Sequence, residues 1–168
     1  VRSCIVKMKK VEENAEITTI EGLATPDNLH PLQVAWMGHG CAQCGFCSPG
    51  FILSAKVLLD ENPSPTREEV RHWFQVHRNV CRCTGYKPLI DAVMDAAKVL
   101  RGEMKKEDLI FKPVGNKILG TSFIRPSALK KVTGTWDYGA DMALQMPSNT
   151  AHLALVQADI PHANLKGI

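Results

Sequence analysis

The sequence predicts an α+β chain: a four-helix bundle with approximate two-fold symmetry, preceded by strands and followed by a linker and a second β-rich stretch. Three observations predict it. Apolar residues recur at helical spacing in four consecutive segments between residues 31 and 102. Two of those segments follow a cysteine pair with a proline close behind, in Cys44-Gly45-Phe46-Cys47-Ser48-Pro49 and in Cys81-Arg82-Cys83-Thr84-Gly85-Tyr86-Lys87-Pro88, so one helix-pair design is used twice. The flanks carry alternating or β-branched runs instead, Cys4 to Lys9 and Glu16 to Ile20 at one end and Ala151 to Val156 at the other.

The elements follow in order. Residues 1–20 read as strands, and Thr25-Pro26-Asp27-Asn28 is a turn signal. The first helix is expected from about Pro31 to His39, with Leu29, Leu32 and Trp36 on one face. The second starts near Pro49 and carries Phe51, Ile52, Ala55, Leu58 and Leu59 until Asn62-Pro63-Ser64-Pro65 stops it. Thr66 and Glu69 have the spacing of a capping box for the third, which buries Val70, Trp73 and Phe74. The fourth begins after Lys87-Pro88 and runs through Leu89, Ile90, Val93, Met94, Ala97 and Leu100 to Gly102, its expected C-cap. Trp36 and Trp73 read as core. Residues 103–126 read as an extended linker, and the chain is β-rich again from about Ser127.

Composition excludes several function classes. The 168 residues are 45% hydrophobic and 22% charged, an ordinary globular balance. A net charge of +3, scattered along the chain, argues against nucleic acid as a partner. No apolar run approaches the roughly 18 residues that a membrane span needs. The chain opens at Val1 rather than Met, inside an alternating run, and closes at Ile168 inside another extended one, so an internal segment of a longer protein is expected.

Six cysteines are too few for a disulfide scaffold, and their clustering favours metal. Two thiolates about 4 Å apart repel by roughly 4 kcal/mol at an effective dielectric near 20. A helix N-terminus offsets only about 0.3–1 kcal/mol of that. A metal centre or disulfides must therefore hold four such groups together. A [2Fe–2S] core suits two helix N-termini, and Gly45, Gly50 and Gly85 would allow close backbone approach to the sulfurs. Structural zinc also takes four cysteines but favours two C-x₂₋₄-C pairs, whereas the second pair here is Cys81-x-Cys83. A thioredoxin-like dithiol expects a βαβ context that is absent. The residues alone leave these readings open. The six histidines read as surface or structural groups.

The string Gln43-Cys44-Gly45-Phe46-Cys47-Ser48-Pro49-Gly50-Phe51, followed by Cys81-Arg82-Cys83-Thr84-Gly85-Tyr86, resembles the helical [2Fe–2S] domain of the molybdenum hydroxylases, the xanthine oxidase family. Asn28-Leu29-His30-Pro31-Leu32-Gln33 is similar to the run before that domain's first helix, and Gly134-Thr135-Trp136-Asp137-Tyr138-Gly139-Ala140-Asp141 to the opening of the molybdenum-binding portion. The short 103–126 stretch leaves no room for a flavin domain, an order similar to the flavin-free, single-chain aldehyde oxidoreductases of sulfate-reducing bacteria.

The resemblance implies a division into the end of a plant-type ferredoxin-like domain (1–20), the helical [2Fe–2S] domain (21–102), a linker (103–126) and the start of a molybdenum cofactor-binding domain (127–168). It implies that Cys44, Cys47, Cys81 and Cys83 ligate one cluster, and that Cys4 is the last ligand of a second cluster whose other ligands lie upstream. Cys41 has no ligand role in the family pattern and is expected in packing. Gln43 and Cys83 match positions that touch the pterin. The implied cofactors are two [2Fe–2S] clusters and molybdopterin cytosine dinucleotide with molybdenum, without flavin. The implied function is oxidation of an aldehyde with water to a carboxylic acid, electrons passing through both clusters to an external acceptor such as flavodoxin or ferredoxin. No catalytic residue lies in the segment, since the family's glutamate falls beyond it. A homodimeric full-length protein in the cytoplasm is expected, with no membrane partner. The alternatives are a purine or N-heterocycle hydroxylase of the same family and, outside it, a zinc-stabilised interaction module.

Overall fold

A computed structural model describes residues 5–25, 27–111, 115, 119–164 and 166–167. It divides into two compact units, residues 1–136 and 137–168. The first contains α1 (Pro31–Gly38), α2 (Ser48–Glu61), α3 (Arg67–Val76), α4 (Tyr86–Leu100) and the short α5 (Ala128–Val132). The second contains α6 (Gly139–Gln145).

Local signals explain where α1 and α3 begin. Thr66 Oγ1 accepts from Glu69 N at 3.2 Å while the Glu69 carboxylate accepts from Thr66 N at 2.6 Å, closing the capping box the sequence predicts. His30 plays the same part for α1: its Nδ1 accepts from Leu32 N, and Gln33 Oε1 accepts from His30 N. Both helices also end alike. Cys41 N donates to Trp36 O and Gly40 N to Met37 O; Asn79 N donates to Phe74 O and Arg78 N to Gln75 O. These paired closures turn the chain sharply, and each delivers it into a cysteine loop. Helix α4 ends the same way beyond Arg101, with Glu103 N donating to Lys98 O and Gly102 N to Val99 O.

Leu32, Trp36, Phe51, Ile52, Val70, Leu89 and Val93 are each at most 1% exposed and form a single core among the four long helices. Side chains of this size contribute about 1.5–3 kcal/mol each when fully buried. Helix α1 packs chiefly along α4. Phe51 of α2 meets Phe74 of α3 edge to face, ring centres 4.8 Å apart, and Tyr86 of α4 at 6.5 Å. Trp73 is half-buried rather than core; its Nε1 donates to Ser54 at 3.0 Å and its ring lies over His77. Asp95 of α4 accepts from His39 at 3.0 Å and from Lys98 at 2.7 Å, pinning α4 to the end of α1.

The flanks differ from the sequence expectation. Among the described residues no strand forms; one isolated bridge joins Thr25 and Asn28. The strands expected within 1–20 are replaced, in the described part, by a 3-10 turn at Met8–Lys10 and unpaired extended chain. The run Ala151 to Val156 is likewise extended but unpaired, with Leu153 and Val156 almost fully exposed. A strand needs a neighbour for its backbone groups, and neither run finds one. The β-rich stretch expected from Ser127 instead opens with α5, whose Ala128 and Val132 enter the core beside Leu109 and Ile20. Helix α6 buries no residue; Asp141 accepts from Tyr138 N at 2.9 Å at its start.

One close approach locks the chain after α4 onto α1. A Cβ placed on Gly38 would lie 1.9 Å from the carbonyl oxygen of Leu109, a backbone atom beside a buried side chain. Gly38→Ala should therefore destabilise the fold by about 1–3 kcal/mol, the usual cost of overpacking. Chemical denaturation of the two proteins measures it, and equal stability would show that the Leu109 turn yields freely.

Candidate metal centre

Two loops meet at one end of the helical unit: residues 41–47 between α1 and α2, and residues 81–85 between α3 and α4. The helices on either side are built differently. Helices α1 and α3 have side-chain caps at their starts, but α2 and α4 begin at Cys47 and Gly85 with no side-chain cap hydrogen bond. No side chain caps their first turns; at α2, Ser48 N donates to Gly45 O at 3.1 Å and Pro49 has no N–H, so Gly50 is the first-turn N–H that faces the loop uncapped. Asn79 ties the approach to the second loop onto α2, donating to Gly50 O at 3.4 Å and accepting from Ser54 Oγ at 3.1 Å. Tyr86 closes that loop locally by accepting from Cys81 N at 3.0 Å.

The cysteines neighbour one another across the loops: among them Cys44 feels Cys83 most strongly, and Cys47 feels Cys81 ahead of its own loop neighbour Cys44. Cys44 is exposed, Cys47 and Cys83 are half-buried and Cys81 is buried. The backbone N–H of Phe46 holds the Cys44 thiol below its ordinary range, helped by Cys83 and the nearby Lys131 cation. Burial, followed by the neighbouring Cys81, pushes Cys47 up to about 12.

The pairing of the cysteines bears on which metal group they suit. Mononuclear zinc asks for four donors around a single point. A binuclear [2Fe–2S] core asks for two thiolates on each iron, the bridging sulfides completing each coordination sphere. Two cross-loop pairs fit the second demand. Ser48, directly after Cys47, is 1% exposed and its hydroxyl has no partner, leaving a buried donor for a cluster sulfide.

The other predicted site residues are placed as follows. Gln43 is exposed and its Nε2 donates to Cys83 O at 3.4 Å, so its side chain bridges the two loops. Cys4 lies outside the described residues. Cys41 is 4% exposed, and burial, with Asp91 adding, pushes its thiol well above the ordinary range, so it packs as a neutral hydrophobe. Gly45 holds φ +86 against the stem of Lys131, and Gly85 lies close to Gln43 Nε2; a Cβ on Gly50 would meet nothing within 4 Å, so protein packing demands no glycine there. Lys131 was not legible as a site residue. Its Nζ donates to Gln43 O at 2.7 Å across 88 residues of sequence.

Residues 19–94 match the [2Fe-2S] binding domain family. Over its whole length the chain is 64% identical to aldehyde oxidoreductase of Megalodesulfovibrio gigas, of which it spans 19%. The crystal structure of the aldehyde oxidoreductase from Desulfovibrio desulfuricans superposes with a TM-score of 0.82 at 64% identity, over 95% of this chain and 18% of that one. Residues 19–94 belong to the [2Fe-2S] binding domain family. A third relative is the nicotine 6-hydroxylase small subunit of Paenarthrobacter nicotinovorans, 46% identical over 57% of this chain and 56% of its own length. The match to the aldehyde oxidoreductases extends past the helical domain into α5 and the residues that follow it.

Cysteine substitution separates ligands from packing. Cys41→Ala should keep two irons per chain while costing about 1–2 kcal/mol of stability. Cys44→Ser, Cys47→Ser, Cys81→Ser and Cys83→Ser should each lose the native visible absorption and at least half of the bound iron. Equal iron loss from Cys41→Ala would remove the distinction.

Proposed function

We propose that this chain is the electron-transfer segment of a molybdenum-dependent aldehyde oxidoreductase, converting aldehyde and water to carboxylic acid. The observation that carries the reading is the cross-loop pairing of Cys44 with Cys83 and Cys47 with Cys81 at two uncapped helix starts. When bound, a [2Fe–2S] cluster supplies one-electron transfer. The chain's own residues hold it: four thiolates ligate, the starts of α2 and α4, which no side chain caps, face the negative charge, and the Phe51–Tyr86–Phe74 group keeps the loops in register.

The finer assignments belong to the same proposal. Residues 1–20 end a ferredoxin-like domain in which Cys4 ligates a second cluster; 21–102 form the helical domain, 103–126 a linker, and 127–168 the start of the molybdenum cofactor-binding domain. Gln43 and Cys83 contact the pterin of a molybdopterin cytosine dinucleotide. The Gln43–Cys83 hydrogen bond, at 3.4 Å, is long and readily exchanged for a pterin edge that both donates and accepts. The intact enzyme uses no flavin, passes electrons to an external acceptor such as flavodoxin or ferredoxin, and works as a cytoplasmic homodimer.

Aldehyde is favoured over an N-heterocycle because identity to an aldehyde oxidoreductase holds at 64% across the whole chain, whereas the likeness to the nicotine 6-hydroxylase subunit covers 57% of it.

Anaerobic addition of an aldehyde to the intact enzyme should bleach the iron–sulfur absorption and produce two distinct paramagnetic signals. Extraction should release a pterin and neither FAD nor FMN. Stoichiometric flavin, or reduction by purines and not by aldehydes, would contradict the assignment.

A further inference from the structure

Lys131 is a half-buried cation with no carboxylate partner. Among the described residues it makes no ion pair. Its two recorded contacts are neutral: Nζ donates to Gln43 O at 2.7 Å, and the ammonium stands 4.9 Å from the centre of the Trp136 ring. Removing a cation from bulk water beside neutral groups is unfavourable unless negative charge lies near. One source in this fold is Cys44, directly after Gln43, on whose thiol the Lys131 cation acts electrostatically.

The position is built rather than incidental. A Cβ on Gly45 would lie 2.6–2.8 Å from Lys131 Cβ, Cγ and Cδ, so the lysine stem fills the space left by that glycine's missing side chain. Gln33, wholly buried, donates from Nε2 to Val132 O at 3.0 Å and anchors α5 to α1. The register of α5 therefore fixes the ammonium over the first cysteine loop. Arg82 stands between two of the proposed ligands but is exposed, where water and salt screen its charge.

We propose that Lys131 is a positioning residue that raises the reduction potential of the cluster held by Cys44, Cys47, Cys81 and Cys83. The proposal rests on the cofactor reading above. Four thiolates leave the oxidised assembly negative, one-electron reduction adds a further charge, and a cation held close by favours the more negative state. Residues outside the cysteine loops thus tune the site from α5, a segment separated from Gln43 by 88 positions.

The test is a potentiometric titration of the iron-loaded protein followed by electron paramagnetic resonance, comparing native, Lys131→Met and Lys131→Arg. Methionine keeps an unbranched stem against Gly45 and removes the charge; arginine keeps the charge. Lys131→Met should retain two irons and two sulfides, yet lower the reduced-to-oxidised ratio at a fixed potential by about threefold to tenfold, each tenfold being about 59 mV for one electron. Lys131→Arg should restore most of that ratio. An unchanged midpoint in Lys131→Met, an equal shift in both variants, or loss of iron from Lys131→Met would overturn the redox role and leave Lys131 a packing strap. A native protein without sulfide-bridged iron would instead sink the cofactor reading itself, before either variant is compared.

Discussion

The close approach of four cysteines at two loops is the constraint on which this structure turns. Each cysteine loop is short and enters from a helix end whose closing hydrogen bonds leave little slack: Cys41 N to Trp36 O on one side, Asn79 N to Phe74 O on the other. The loops are then pressed together by the core beneath them, where Phe51, Phe74 and Tyr86 join three helices. A bundle built this way brings Cys44 near Cys83 and Cys47 near Cys81; in the proposed centre all four ionise, and a bound cationic core relieves their repulsion. Capping shows the same division of labour. Helices α1 and α3 are capped by their own side chains, while α2 and α4 start at the cysteine loops without one.

The helical part was legible in the sequence because its signals are local. Thr66 and Glu69 sit three residues apart, and the apolar faces of α2 and α4 repeat within a few turns. Helix α4 begins at Tyr86, earlier than the Lys87-Pro88 pair suggested, because Tyr86 is drawn in by Cys81 N and a proline in the first turn loses only an N–H that had no helical partner. The flanks were misread for the opposite reason. Alternation in Ala151 to Val156 describes what such a run does beside a partner strand, and among the described residues that partner is missing. Alternation carries no information about whether a neighbour is present.

The four cysteines that the fold brings together were legible in the sequence, and their surroundings were not. Cysteine spacing identifies four candidates and sets Cys41 apart, whose burial agrees with a packing role. Lys131 carries no such signal: a lysine on a short helix is ordinarily a solvated charge, and only the tertiary contacts of α5 place its ammonium on the Gln43 carbonyl. The same holds for Gly38, whose need for a missing side chain is created by Leu109. Contacts across such separations arise from the packing of elements, so they mark where single-sequence reasoning ends.

The central claim is that two cross-loop cysteine pairs each hold one iron of a sulfide-bridged dimer. X-ray absorption at the iron edge, with metal and acid-labile sulfide analysis of the same sample, tests it most directly. The account predicts two irons and two sulfides per helical domain, four sulfur neighbours on each iron and a short iron–iron vector. One zinc per chain with no sulfide, or iron without an iron neighbour, would contradict it.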